Sequence, residues 1–129
     1  GLLACTGIRS GEARKLKLAD FNPRAAQLRI APFKASPART IPLHPTTVQA
    51  LQRYVALRRR CFPFVDAFFV GVTGRPLGKG PTETVFGRLI AGLASRGDFP
   101  HPRMTDFRHT FASRWIAEWS VQAKPVSHY

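Results

Sequence analysis

The chain has 129 residues, 44% of them hydrophobic and 21% charged, a balance that excludes a disordered tail and suits one modest domain with its own core. Twenty Lys and Arg against seven Asp and Glu leave a net charge of +13 and an isoelectric point near 11.4, so the expected partner is a polyanion. No run approaches the roughly 18 consecutive apolar residues of a membrane span, and no single helix carries the cationic face of a surface anchor, which favours nucleic acid over lipid.

Cys5 and Cys61 have neither the spacing of a metal knuckle nor the number of a secreted disulfide framework. Both read as reduced thiols, which points to a cytoplasmic compartment. The opening Gly1-Leu2-Leu3 carries no Met, charged segment or cleavage signal and reads as an internal excerpt.

In chain order, residues 10–18 suit a short helix, with Ser10 as cap and Glu12 complementing the positive end of the helix dipole, stopped by Asn22-Pro23. Residues 27–30 and 40–43 alternate polar and apolar and predict the two strands of a hairpin, with Lys34 in the connection. Thr46 or Thr47 can cap a helix running to about residue 60, which buries Val48, Leu51 and Val55 and leaves Arg53, Arg58 and Arg59 free to reach solvent. The apolar run Phe68-Phe69-Val70 precedes a turn-rich stretch over 71–81. Thr82 then introduces Val85, Phe86, Leu89, Ile90 and Leu93 in helical register. A last helix is expected over 105–119, where Phe107, Phe111, Trp115 and Trp119 recur every four residues and Ala112 and Ile116 widen the stripe; Pro125 ends any continuation. The order of helix, hairpin and three helices is an α+β fold, mostly α-helical with a small antiparallel sheet.

Three basic residues stand out by their surroundings: Arg9 in Thr6-Gly7-Ile8-Arg9-Ser10-Gly11-Glu12, Lys34 in the hairpin before Arg39-Thr40-Ile41-Pro42-Leu43, and Arg108 in Asp106-Phe107-Arg108-His109-Thr110-Phe111-Ala112. In order and spacing these segments resemble the successive boxes of the tyrosine recombinase, or phage integrase, family over residues 2–119. The resemblance implies that 1–129 is a single, partial DNA breaking-rejoining catalytic domain. It also implies a reaction in which a tyrosine hydroxyl attacks a phosphodiester and leaves a 3′-phosphotyrosyl link. Negative charge gathers on the non-bridging oxygens in the transition state, and fixed cations stabilise it. Planar, permanently charged arginines suit that task. Arg9 and Arg108 would clamp the phosphate, and Lys34 would be the general acid for the leaving 5′ oxygen, with Arg39 as the other candidate. Glu12 would orient Arg9 and His109 would lend support. The implied partners are double-stranded DNA and, in the parent enzyme, further copies bound to it; no metal or nucleotide cofactor is implied.

The sequence departs from the family pattern in two places. Thr105 stands where the family carries His three residues before the second Arg; it suits a helix cap and cannot act as an acid or base near neutral pH. His101 lies nearby in a Pro-flanked loop and takes no role in this reading. The Gly-His box and following tyrosine are not found after the Arg108 segment, so Tyr129 does not read as the nucleophile, and Tyr54 reads as helix packing. These departures favour a second reading, a non-catalytic basic DNA-binding module of the same fold. A third, an RNA-binding domain, lacks stacking motifs because the phenylalanines follow core periodicity.

Overall fold

Alternation in Gln27-Leu28-Arg29-Ile30 sorts the strand into a core face and a solvent face: Leu28 and Ile30 are buried while Gln27 and Arg29 are exposed. In the computed structural model this strand, β2 (Gln27–Ile30), is the centre of a three-stranded antiparallel sheet, between β1 (Phe21–Asn22) and β3 (Arg39–Pro42). Leu28 pairs with Phe21 on one side and Ile41 on the other, and Ile30 pairs with Arg39. The structure describes residues 1–94 and 102–122, and the side chains of 93–94 and 119–122 are not included. The expectations for His101, Pro125 and Tyr129, and for the Leu93 and Trp119 side chains, therefore lie outside the described residues.

Five α-helices accompany the sheet among the described residues, α1 (Leu2–Thr6), α2 (Ser10–Arg14), α3 (Pro45–Cys61), α4 (Lys79–Ala94) and α5 (Met104–Gln122), with a short 3-10 helix at Leu18–Asp20. The expected mostly helical α+β class holds. Helix α1 and strand β1 are additions to the expected order. The helix expected over 10–18 stops at Arg14, because the chain beyond it is drawn into extended contact with residues 66–68. There Phe68 N–H donates to Leu16 O (2.7 Å) and Leu18 N–H donates to Asp66 O (2.8 Å). Ser10 is the first helical residue rather than the cap; the Glu12 carboxylate accepts the Arg9 amide in front of it (2.8 Å).

The core gathers Ile8, Leu16, Leu28, Ile30, Leu43 and the inward face of α3, Val48, Leu51 and Val55, around Phe68. Phe68 is fully buried and meets Phe21 edge-on, 5.9 Å between ring centres. Each such side chain contributes about 1.5–3 kcal/mol by leaving water. Helix α3 begins with Pro45 at its first position, and His44 caps it by accepting the Thr46 amide at Nδ1 (3.3 Å), in place of the threonines expected to do so.

Arg58 corrects a second expectation. It lies three residues after Val55 on the inward face and is buried, with only 3% of its surface exposed. Its guanidinium donates to the carbonyls of Phe62 (3.3 Å), Val65 (2.5 Å) and Ala67, tying the end of α3 to the loop that delivers Phe68. Thr105 is likewise not the cap of α5: the helix begins at Met104, Asp106 accepts the Arg103 amide (2.5 Å), and Thr105 is exposed in the first turn. On α4 and α5, Phe86 meets Phe107 at 5.6 Å, while Leu89, Trp115 and Ile116 remain more than half exposed. Among the described residues no helix is long and apolar enough to cross a membrane.

Candidate functional site

The segment linking α1 to α2 builds the site. Gly7 ends α1 in the left-handed conformation (φ 66°), and its amide donates to Leu3 O (3.0 Å). A Cβ on Gly7 would lie 2.4 Å from Phe111 Cδ1, so the absent side chain is what lets α5 dock against α1. Ile8, buried at 2%, anchors the next step, and Arg9 turns outward with 43% of its side chain exposed.

Two groups hold Arg9. Its Nη1 donates to Ser36 Oγ on the β2–β3 connection (2.6 Å) and lies 3.7 Å from Glu12 Oε1, while its backbone amide donates to Glu12 Oε2. The Glu12 side chain has no solvent exposure and is gripped from the other side by Arg39, whose Nη1 and Nη2 donate to Oε1 and Oε2 at 2.8 and 2.9 Å. Burial pushes the Glu12 carboxyl up, but the Arg39 hydrogen bonds, the Arg9 amide and the two guanidinium charges outweigh it and lower its pKa below the ordinary 4.5. The same hydrogen bonds raise the Arg39 pKa against the opposing effect of burial.

Lys34 sits at the tip of the hairpin. Phe33 and Ser36 exchange backbone hydrogen bonds (3.0 and 2.9 Å), leaving Lys34 and Ala35 as the turn, with Lys34 at φ 51°. The Ser36 bond to Arg9 joins this tip to the start of α2. Arg108 stands on α5 one turn before Phe111, the residue that meets Gly7 two positions ahead of Arg9. Arg108 Nη1 is shielded from solvent and has no hydrogen-bond partner among the described residues. His109, the next residue, is exposed, as are Thr105 and Lys34.

The structure thus joins Arg9, Glu12 and the Lys34 turn directly, with Arg39 as the main partner of Glu12 rather than a rival of Lys34 at the tip. Glu12 meets Arg9 chiefly through the backbone amide. Tyr54 is held in packing, its hydroxyl donating to Phe68 O (3.1 Å) and accepting Val70 N–H (3.4 Å). Sequence reasoning passed over Gly11 and Phe33: a Cβ on Gly11 would lie 2.4 Å from Phe33 Cζ, so the ring rests on that glycine. The available signal was a glycine early in a helix opposite an aromatic beside the hairpin lysine.

The model of the phage integrase family matches residues 1–127. The chain belongs to the phage integrase family. Over 124 residues this integrase-family chain is 36% identical to a protein described as an integrase/recombinase, y4rB, of Sinorhizobium fredii, covering 92% of this chain and 40% of that protein. It is 33% identical over 115 residues to the tyrosine recombinase XerC of Azotobacter vinelandii, covering 89% of this chain and 37% of that protein. Among solved structures, XerA recombinase matches with a TM-score of 0.73 at 27% identity, over 91% of this chain and 42% of that one. The Tn1549 transposon integrase, solved in complex with transposon right end DNA, shares the fold with a TM-score of 0.77 at 22% identity, over 96% of this chain and 46% of that one. The chain therefore spans about two fifths of the length of the relatives it matches.

Proposed function

We propose that residues 1–129 form the phosphate-gripping part of the DNA breaking-rejoining domain of a site-specific tyrosine recombinase. Arg9 and Arg108 clamp one phosphate of duplex DNA, and Lys34 is the general acid. The observation that carries the proposal is the convergence of three elements: Arg9 is tied to the hairpin through Ser36, while α5 closes on Gly7 one turn from Arg108. A buried guanidinium nitrogen without a partner costs about 1–3 kcal/mol, and a phosphate oxygen would satisfy Arg108 Nη1. The +13 charge supports a duplex partner, as do the DNA complexes formed by the transposon integrase and by XerH recombinase, which share the fold.

In the reaction of the parent enzyme, the tyrosine hydroxyl gives up its proton to solvent as its oxygen bonds to phosphorus, the bond to the 5′ oxygen breaks, and Lys34 delivers the proton that this leaving oxygen takes up. Arg9 and Arg108 stabilise the charge on the non-bridging oxygens. Energy is kept in the phosphotyrosyl ester, so the step calls for no nucleotide cofactor. Glu12 and His109 support the arginines, and further copies assemble on the DNA. Tyr54 is read as packing rather than as the attacking group, a reading supported by the engagement of its hydroxyl at Phe68 and Val70. The chain by itself binds duplex DNA without cutting it.

Arg9→Ala and Arg108→Ala should each weaken binding to a labelled duplex by about five- to thirty-fold. Arg53→Ala, at an exposed position of α3, should change it by less than about twofold. Losses at Arg9 and Arg108 no larger than at Arg53 would overturn the assignment. The exposed Thr105 in the first turn of α5 favours a second reading, a basic module that binds the duplex without chemistry. Such a module does not require Arg9 and Arg108 to meet on one phosphate, so additive losses in the double variant would favour it.

A further inference from the structure

Lys34 is a long, exposed side chain on a two-residue turn, and by itself such a turn swings. Its backbone sits at φ 51°, a conformation that non-glycine residues adopt rarely and keep only when neighbours enforce it. The neighbour that does so is Phe33. Its ring lies so close over Gly11 that any β-carbon there would be displaced, and its backbone forms the closing pair of the turn with Ser36. Two ammonium groups flank this one ring: Lys34 Nζ is 5.7 Å and Lys15 Nζ 4.9 Å from its centre.

We propose that Phe33 is the positioning residue for Lys34, its ring seated on Gly11 and its π face holding the ammonium at the hairpin tip that Ser36 ties to Arg9. The inference rests on the reading of Lys34 as a phosphate-facing cation. The physical logic is that α2 carries both Gly11 and the start of the Arg9 loop. Docking the ring on Gly11 therefore fixes the hairpin tip in the same frame as Arg9, and the Arg9–Ser36 hydrogen bond closes the frame from the other side. Phe33 touches no substrate in this account; it acts through Lys34. Lys15, held on the same ring, adds a second positive charge beside it.

The test measures how much Lys34→Ala weakens duplex binding in two backgrounds, the natural chain and Phe33→Leu, which keeps an apolar residue but removes the ring. The expected result is a roughly five-fold loss in the natural chain and less than about twofold in Phe33→Leu. Gly11→Ala, which pushes the ring off its seat, should blunt the Lys34→Ala effect in the same way. Equal losses in both backgrounds would overturn the positioning role while leaving Lys34 a phosphate contact. No loss in the natural chain would overturn the reading of Lys34 and this inference with it. Should Phe33→Leu fail to fold, the unaltered protein decides by proton NMR: the side-chain methylenes of Lys15 and Lys34 should be shifted upfield by the ring, and random-coil positions would contradict the proposal.

Discussion

Glu12 is the residue on which the site turns, because its two oxygens bind the Arg9 amide and both ends of the Arg39 guanidinium. Breaking a buried pair by removing one charge costs about 3–5 kcal/mol; with Arg39 one-third exposed, about 3 is expected for Glu12→Gln near neutral pH. Since the folded-state pKa of Glu12 lies below the ordinary 4.5, its contribution is complete above that value and is lost as pH falls through the lowered one. Urea unfolding should therefore show a gap between the natural chain and Glu12→Gln that is full near neutrality and narrows below about pH 4.5. A gap independent of pH would contradict the charge-based account. Arg9, Lys34 and Glu12 could be picked out from motif context; the structure pairs Arg9 with Glu12 and ties Arg9 to Ser36, which closes the turn carrying Lys34. The pairing of Arg39 with Glu12 could not be, because two residues 27 apart in sequence meet only through the β2–β3 register. Arg58 was misjudged for a related reason. Its place on the inward face was visible in the spacing, but the carbonyls that satisfy it come from the following loop.

At the scale of elements, the decisive contact is α5 on α1 at Gly7. An alanine there meets both a left-handed backbone and the Phe111 ring, so Gly7→Ala should destabilise the fold by about 2–4 kcal/mol, read from urea midpoints. In the fraction that stays folded, duplex binding should weaken as the docking of the helix that carries Arg108 is disturbed. A cost below about 1 kcal/mol would mean that α5 does not depend on this seat. Helices α3, α4 and α5 and the β2–β3 hairpin were legible from period alone. The short α1 was not, since five residues hold too little pattern, and neither was β1, whose two residues pair only because β2 is beside them. Periodicity located α5 but not what covers it: Phe107 and Phe111 turn toward α4 and α1, while Trp115 and Ile116 on the same stripe stay exposed.

For the whole molecule, composition already pointed to a polyanion, and the fold assembles a few of the many cations around one carboxylate. On the proposed reading, charge alone would make affinity for duplex DNA fall steeply with salt, whichever cations take part. What separates a built site from a basic surface is whether named cations act on the same phosphate. The most direct test is a double-mutant cycle on duplex affinity with Arg9→Ala, Arg108→Ala and the two combined, at one fixed salt concentration. Convergence on one phosphate predicts that the double variant loses clearly less than the sum of the single losses, a coupling of about 1 kcal/mol or more. Losses that add within about 0.5 kcal/mol would place the two arginines on separate phosphates and contradict the account.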